Sequence, residues 1–163
     1  MITESPIEEK FAAAVRTYDG DGLTVLPSSD VATLKATFYA LGNYGLDGNR
    51  ADSFACAPQV QIGPYRTDFC FIADCVYGEF LLVAVECDGH EFHERTKEQA
   101  AHDRSRDRAM TRAGIHVMRF TGSEIHRDAE GCFQEVYDYL MDKHTAGVNE
   151  LWRRMDLERR ETP

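Results

Sequence analysis

Apolar and polar residues follow one another in blocks along this chain, and the blocks predict a mixed α/β fold. The segment QVQIGPYRTDFCFIA, residues 59–73, alternates, breaks at Gly63-Pro64 and resumes, which predicts two antiparallel strands joined by a tight turn. The nearly continuous apolar run EFLLVAVEC, residues 79–87, predicts a central strand buried on both faces. A further strand is expected at IHVMRF, residues 115–120.

Helix signals flank these strands. Ser5 is a predicted N-cap followed by proline and two acids, so we expect a helix over residues 6–18. A capping box at Thr96 begins another helix, which Gly114 ends. The amphipathic pattern of residues 128–143 predicts a last helix.

The predicted order is α, β, β, β, α, β, α, which gives a mixed sheet flanked by helices. A length of 163 residues suits one domain and is too short for two. We expect that domain over residues 1–143, with an irregular insertion at about 19–57 in which residues 31–41 have a helical pattern. Residues 144–163 are expected to form a tail or an extra helix.

Composition narrows the classes of function. The formal charge of −10 speaks against indiscriminate binding to nucleic acid, yet residues 94–112 hold six basic and four acidic residues and predict a locally positive helix. Five cysteines without a C-x-x-C pair argue against a disulfide framework and a zinc ribbon. Because the chain has no long apolar run and no charged-then-apolar leader, we expect a cytoplasmic protein without a membrane segment.

Acidic residues at predicted strand ends are the candidate chemistry. Asp68 lies on the second predicted strand and Glu86 at the end of the third. If these strands are neighbours, the two carboxylates meet at one end of the sheet beside the backbone carbonyl of Cys87. Mg²⁺ prefers such an incomplete shell of oxygen ligands, which leaves room for water and a substrate phosphate. Asp68 alone would be read as an acid in a turn, and the cluster of Glu86, Cys87 and Asp88 favours the metal site.

Several separated motifs carry a family resemblance. YRTDF, VECDGHEFH and DRSRDRAMTRAGIHVMRFTGSEI resemble stand-alone nuclease-like proteins related to very-short-patch repair endonucleases, within the PD-(D/E)XK superfamily. The similarity covers residues 58–140 and extends to the SPIEE opening. It implies a restriction-endonuclease-like fold with an αβββαβ core and a Mg²⁺- or Mn²⁺-dependent activity. Asp68 and Glu86 match the metal-binding carboxylates, and Glu8 or Glu9 matches an acid on the first helix.

The chain departs from the superfamily pattern at one position. The motif ends in lysine, which orients or deprotonates the attacking water, and that position is Asp88 here. In the repair endonucleases a histidine shortly after the third strand takes part in the chemistry, and His93 matches it by its spacing from Gly89. His93 is then the candidate base, and Asp88 either orients water or is a third metal ligand. A surface loop, or a zinc-stabilised site formed by His90, His93 and Cys87, stays open as an alternative.

The helix after these motifs carries polar residues on one face. Gln99, Asp103, Arg106 and Met110 recur at steps of four, three and four, so they share that face. We expect Arg106 either to contact a phosphate or to hold a site carboxylate in a bidentate pair. Lys97 begins the same helix and is a candidate substrate contact, as is Gln99.

The resulting expectation is a metal-dependent endonuclease that hydrolyses DNA phosphodiester bonds. A role in DNA repair, restriction or mobile-element biology fits the family. A homodimer or a partner protein is an option, since cutting two strands commonly needs two sites. The alternative is a catalytically silent protein of the same fold that binds nucleic acid or a partner protein, which the missing lysine and the acidic charge favour.

Overall fold

A computed structural model describes residues 3–18, 23–40, 54–74, 80–88 and 97–161, which form a five-stranded sheet with helices on both faces. The elements are α1 (Pro6–Arg16), β1 (Leu23–Val25), α2 (Val31–Ala40), β2 (Phe54–Ile62), β3 (Tyr65–Asp74), β4 (Phe80–Asp88), α3 (Lys97–Arg112), β5 (Ile115–Thr121) and α4 (Gly122–Glu161). The predicted α/β class, a mixed sheet flanked by helices, is confirmed. Within the described ranges, no helix has the length and apolar character needed to cross a membrane.

The sheet has the strand order β1-β2-β3-β4-β5. The two outer pairs, β1 with β2 and β4 with β5, are parallel, whereas β3 is antiparallel to both of its neighbours. The predicted hairpin is confirmed, because Ile62 pairs with Tyr65 across Gly63 and Pro64. Gly63 has a φ of 59°, and the following proline is fixed at negative φ, the combination of signs found in a type II′ turn.

Each face of the sheet has its own apolar core. One core lies between the sheet and helices α1 and α4, and the other between the sheet and helices α2 and α3. Along β4, Val83 and Val85 belong to the first core, and Leu82 and Ala84 belong to the second. The prediction that this strand is buried on both faces is therefore confirmed, and its acidic end is attached to a rigid central element.

Helix α3 ends where its sequence predicts. Gly114 adopts a φ of 69°, and its backbone N–H donates to the Thr111 carbonyl. The left-handed conformation ends the helix at low cost because glycine has no Cβ. The chain then turns directly into β5, which pairs with β4.

One strand was not predicted from the sequence, and the last helix differs from the prediction at its start. Strand β1 lies in the segment expected to be irregular, and it comprises only three residues. Helix α4 begins earlier than expected, with a capping box in which Thr121 and Glu124 exchange hydrogen bonds. A break follows at Asp128, with φ −155° and ψ 79°, and its carboxylate caps the next helical segment by accepting from Gly131 N at 2.8 Å. The helix beyond this break begins at the predicted position and continues to Glu161.

Candidate active site

Two acidic side chains lie together where β3 and β4 run side by side. Phe69 pairs with Val85, so Asp68 and Glu86 are the next residues along the two antiparallel strands. Asp68 Oδ2 accepts a hydrogen bond of 2.7 Å from the backbone N–H of Cys87. The condition set by the sequence, that the two strands be neighbours, is met. The structure brings the carboxylates of Asp68 and Glu86 together where the pairing of β3 with β4 ends.

The Cys87 backbone is oriented toward the same place. Its N–H points to β3, and in a strand the N–H and C=O of one residue point to the same neighbour, so its carbonyl also lies on the β3 side. The thiol, in contrast, is buried in the core shared with α1 and α4, and burial raises its pKa well above the usual range. Cys87 can therefore offer a carbonyl oxygen to a cation but not a thiolate.

Burial and mutual repulsion govern the electrostatics of the acids. Burial raises the pKa of Asp68 to about 6, while the Cys87 N–H opposes this rise and the nearby carboxylates of Glu86 and Glu8 add to it. The pKa of Glu86, whose side chain is almost fully buried, is raised by burial and lowered by Arg106. Buried carboxylates close to one another are unfavourable without a compensating positive charge. The site thus carries an excess of negative charge.

Arg106 supplies one positive charge from α3. Its guanidinium Nη2 forms an ion pair with Glu86 Oε1 and donates to the Arg66 carbonyl at 3.4 Å. Met110, one turn later, is buried in the core beneath α3 and fixes that face of the helix against the sheet. Of the two roles considered from the sequence, the structure has Arg106 at the site carboxylate.

A third acid reaches this region from α1, on the opposite face of the sheet. Glu8 is buried, and its Oε2 accepts hydrogen bonds of 2.8 Å from Glu4 N and from the side-chain amide of Gln59. Glu9 instead faces solvent and pairs with Arg16. Of the two candidate acids on the first helix, the structure brings Glu8 to the site and leaves Glu9 outside it.

Gln59 is a site residue that the sequence reasoning missed. It lies on β2 opposite Asp68, and its φ of 51° is unusual for a residue other than glycine. Its Oε1 atom is buried and has no hydrogen-bond partner among the described residues. A left-handed non-glycine residue and an unsatisfied buried acceptor each cost roughly 1–3 kcal/mol. In the sequence it appears only as a polar residue in an alternating strand, a pattern that does not reveal its backbone conformation.

Thr67 also supports the site and was not singled out from the sequence. It is fully buried, and its hydroxyl lies 3.0 Å from both the Phe69 and the Val85 carbonyls. The hydroxyl therefore ties β3 to β4 immediately beside Asp68 and Glu86.

The remaining candidate residues are placed as follows. Asp88 ends β4, where it pairs with Thr121 and is partly exposed. Lys97 is exposed at the start of α3, and Gln99 lies in the same helix with its side chain outside the described part of the structure. His90 and His93 lie outside the described residues, so the candidate base and the zinc alternative are not located by the fold.

The donor atoms present determine which cation would fit. Over the described ranges, no group of three or more His, Cys, Asp or Glu side chains is gathered so as to hold a metal. The two carboxylates and the Cys87 backbone lie where β3 and β4 pair, and the unpartnered amide oxygen of Gln59 lies on the next strand, β2. Such oxygen donors suit a partly hydrated Mg²⁺ or Mn²⁺, whereas Zn²⁺ sites are usually completed by Cys and His side chains.

Comparison with known protein families identifies the chain's family. The model of REase_MTES_1575, a restriction-endonuclease-like family, matches residues 50–140, more than half of the chain. No curated protein and no solved structure matches the sequence. The matched segment contains Gln59, Asp68, Glu86 and Arg106, so the acid pair lies inside the family's own region. The chain therefore belongs to this restriction-endonuclease-like family, a membership that indicates a nuclease-like function.

Proposed function

We propose that this protein is a metal-dependent endonuclease that hydrolyses DNA phosphodiester bonds, of the kind related to very-short-patch repair endonucleases. The observation that carries the proposal is the hydrogen bond from Cys87 N to Asp68, next to the buried carboxylate of Glu86. This arrangement places two acidic side chains and a backbone carbonyl close together where the two strands pair. Membership of a restriction-endonuclease-like family supports the same class of reaction.

The cation of this proposal is Mg²⁺ or Mn²⁺, held by Asp68, Glu86 and the Cys87 carbonyl. A divalent cation supplies charge neutralisation at the phosphate and a lower pKa for water. The chain's own residues fix the donor atoms. The Cys87 N–H orients Asp68, and Arg106 orients Glu86.

The remaining roles concern water and substrate. Asp88 at the end of β4 orients water or adds an oxygen ligand, and His93 acts as base or positions the nucleophile. Arg106, together with Lys97 and Gln99, contacts the substrate. Because about a fifth of the Arg106 side chain is exposed beside Glu86, a phosphate oxygen can reach its guanidinium.

A focused basic surface supports DNA as the substrate despite the negative charge of the whole chain. Arg104, Arg108 and Arg112 are exposed on α3 at successive steps of four residues, which puts them in one row on the solvent side of the helix, opposite the face that carries Arg106 and Met110. Rows of arginine can contact consecutive phosphates of one strand, and such contacts weaken with salt.

Cleavage of supercoiled plasmid and of single-stranded DNA tests the proposal, with Mg²⁺, Mn²⁺ or EDTA present. We expect metal-dependent cutting that Glu86→Ala abolishes and that His93→Ala slows. Glu9→Ala is the matched control, since it removes an exposed carboxylate that pairs with Arg16 outside the site. Cutting that persists in EDTA, or in Glu86→Ala, would contradict the proposal.

Two observations favour the alternative, a catalytically silent protein that binds nucleic acid or a partner protein through the same fold. Arg106 already provides a positive charge to Glu86, and Asp88 stands where the superfamily motif has lysine. Wild-type protein that binds DNA but cuts neither substrate with either metal would support this alternative.

A further inference from the structure

We propose that Gln59 is a positioning residue of the same site and that its side-chain oxygen accepts a hydrogen bond from a water molecule on the bound cation. The inference rests on the proposed function and extends it, because it adds a residue from β2 to a site otherwise built on β3 and β4. Three features of Gln59 lead to it: its backbone, the orientation of its amide and the charge around it.

The backbone of Gln59 is held in a conformation that the strand itself does not require. A φ of 51° interrupts β2 opposite Asp68, while the residues on either side keep their pairing with β3. Glycine would adopt this conformation without strain, yet the chain has a long polar side chain here. Strain of this kind persists where the surrounding structure fixes the residue, commonly at a functional site.

The orientation of the amide follows from its partner. Glu8 is a carboxylate and only accepts hydrogen bonds when ionised, so the NH₂ group of Gln59 faces it at 2.8 Å. The oxygen consequently points elsewhere, and it is buried without a hydrogen-bond partner among the described residues.

The described groups around Gln59 do not satisfy this oxygen. The nearby Cys87 N–H already donates to Asp68, opposite Gln59, at 2.7 Å and is therefore not available to Gln59. No donor for this oxygen lies within the described ranges, and a water molecule meets the need.

The local charge identifies the water as one carried by a cation. Glu8 and Glu86 both add negative charge near Asp68, whereas Arg106 pairs with Glu86 and Arg119, which also lies near Glu86, pairs with Asp107. A neutral water molecule would satisfy the oxygen of Gln59 but would leave this negative charge. Mg²⁺ and Mn²⁺ keep several water ligands in sites of this kind, and these waters donate hydrogen bonds to nearby acceptors.

The test compares Mn²⁺ affinity, measured by titration calorimetry, with thermal stability in EDTA. Gln59→Ala removes the amide and keeps the strained φ, whereas Gln59→Gly removes the amide and relieves the strain. Gln61→Ala is the matched control, because Gln61 is an exposed glutamine of the same strand whose amide donates to Gly63 O. We expect both Gln59 variants to bind Mn²⁺ about 10- to 100-fold more weakly than wild type and Gln61→Ala to bind it normally.

Stability separates a positioning role from a structural one. Gln59→Gly is expected to unfold at a higher temperature than Gln59→Ala while losing the same affinity, so stability and affinity do not change together. If wild type binds Mn²⁺ and the Gln59 variants bind it equally well, the role of Gln59 is refuted and the proposed function stands. Wild-type protein that binds no Mn²⁺ refutes both.

Discussion

Asp68→Asn is expected to stabilise the metal-free protein at alkaline pH. Burial and the nearby carboxylates raise the pKa of Asp68 to about 6 in the folded protein, against 3.8 for an ordinary aspartate. A carboxyl group with a raised folded pKa contributes stability that is complete below pH 3.8 and is lost as pH rises through about 6. At pH 8 the folded protein therefore carries an unfavourable charge that asparagine does not have. The asparagine oxygen can still accept the hydrogen bond from Cys87 N.

The size of this effect follows from the shift in pKa. About two pH units at 1.36 kcal/mol each give an upper limit of roughly 3 kcal/mol. Because Asp68 is only partly buried, water screens part of the penalty, and we expect about 1–2 kcal/mol. For a chain of this length, that corresponds to an increase of about 2–8 °C in Tm. At pH 5 the gain falls to about half, since there the folded protein has mostly regained the proton.

Thermal unfolding followed by circular dichroism in EDTA, at pH 5 and pH 8, measures this difference. Asp142→Asn, which changes an exposed aspartate on α4, is the matched control and should leave Tm unchanged at both values. Added Mn²⁺ should raise the Tm of wild type and have little effect on Asp68→Asn. An Asp68→Asn protein no more stable than wild type at pH 8, or equally stabilised at both pH values, would refute the reasoning.

Three further predictions concern the groups around the acid pair. Arg106→Met should lower the free energy of unfolding at pH 8 by about 2–4 kcal/mol, because it leaves Glu86 buried without its cation. Arg119→Met, which breaks an exposed pair, should cost less than about 1 kcal/mol in the same urea titration, and equal losses would contradict the buried-pair argument. Glu8→Ala should slow cleavage and lower stability, whereas Glu9→Ala should change neither, and plasmid cleavage with matched melting curves separates them. Replacing two of the exposed arginines of α3 by alanine should weaken DNA binding and make the slope of log K against log salt concentration shallower by about two. Fluorescence anisotropy at several salt concentrations measures this slope, and an unchanged slope would exclude this face of α3 from the DNA contact.

Much of the fold could be predicted because its signals are local. The hairpin follows from alternation around Gly63-Pro64, and α3 ends at Gly114 because glycine tolerates positive φ. Strand β1 was not predicted because three residues are too few for the alternation of apolar and polar residues in a strand to be distinguished from a loop. The early start of α4 was not predicted either, since the helical segment before Asp128 spans less than two turns and is too short to show a helical period.

Only part of the candidate site could be predicted from the sequence. Asp68 and Glu86 could be expected together because both are near strand ends in adjacent apolar segments. The choice of Glu8 over Glu9 depends on a hydrogen bond between residues 51 positions apart, which local pattern does not reveal. The left-handed backbone of Gln59 has no sequence signal either, because a strand with glutamine at alternate positions usually exposes both.

Both layers of the protein contribute to the surroundings of the acid pair: Arg106 of α3 pairs with Glu86 on one side of the sheet, and Glu8 of α1 binds Gln59 on the other. Its parts come from positions almost a hundred residues apart, so no short fragment of the chain contains all of them. A nascent or partly unfolded chain, with either helix undocked, would lack a competent arrangement of charges. Under the proposed function, DNA cleavage should therefore appear only once both helices have docked onto the sheet.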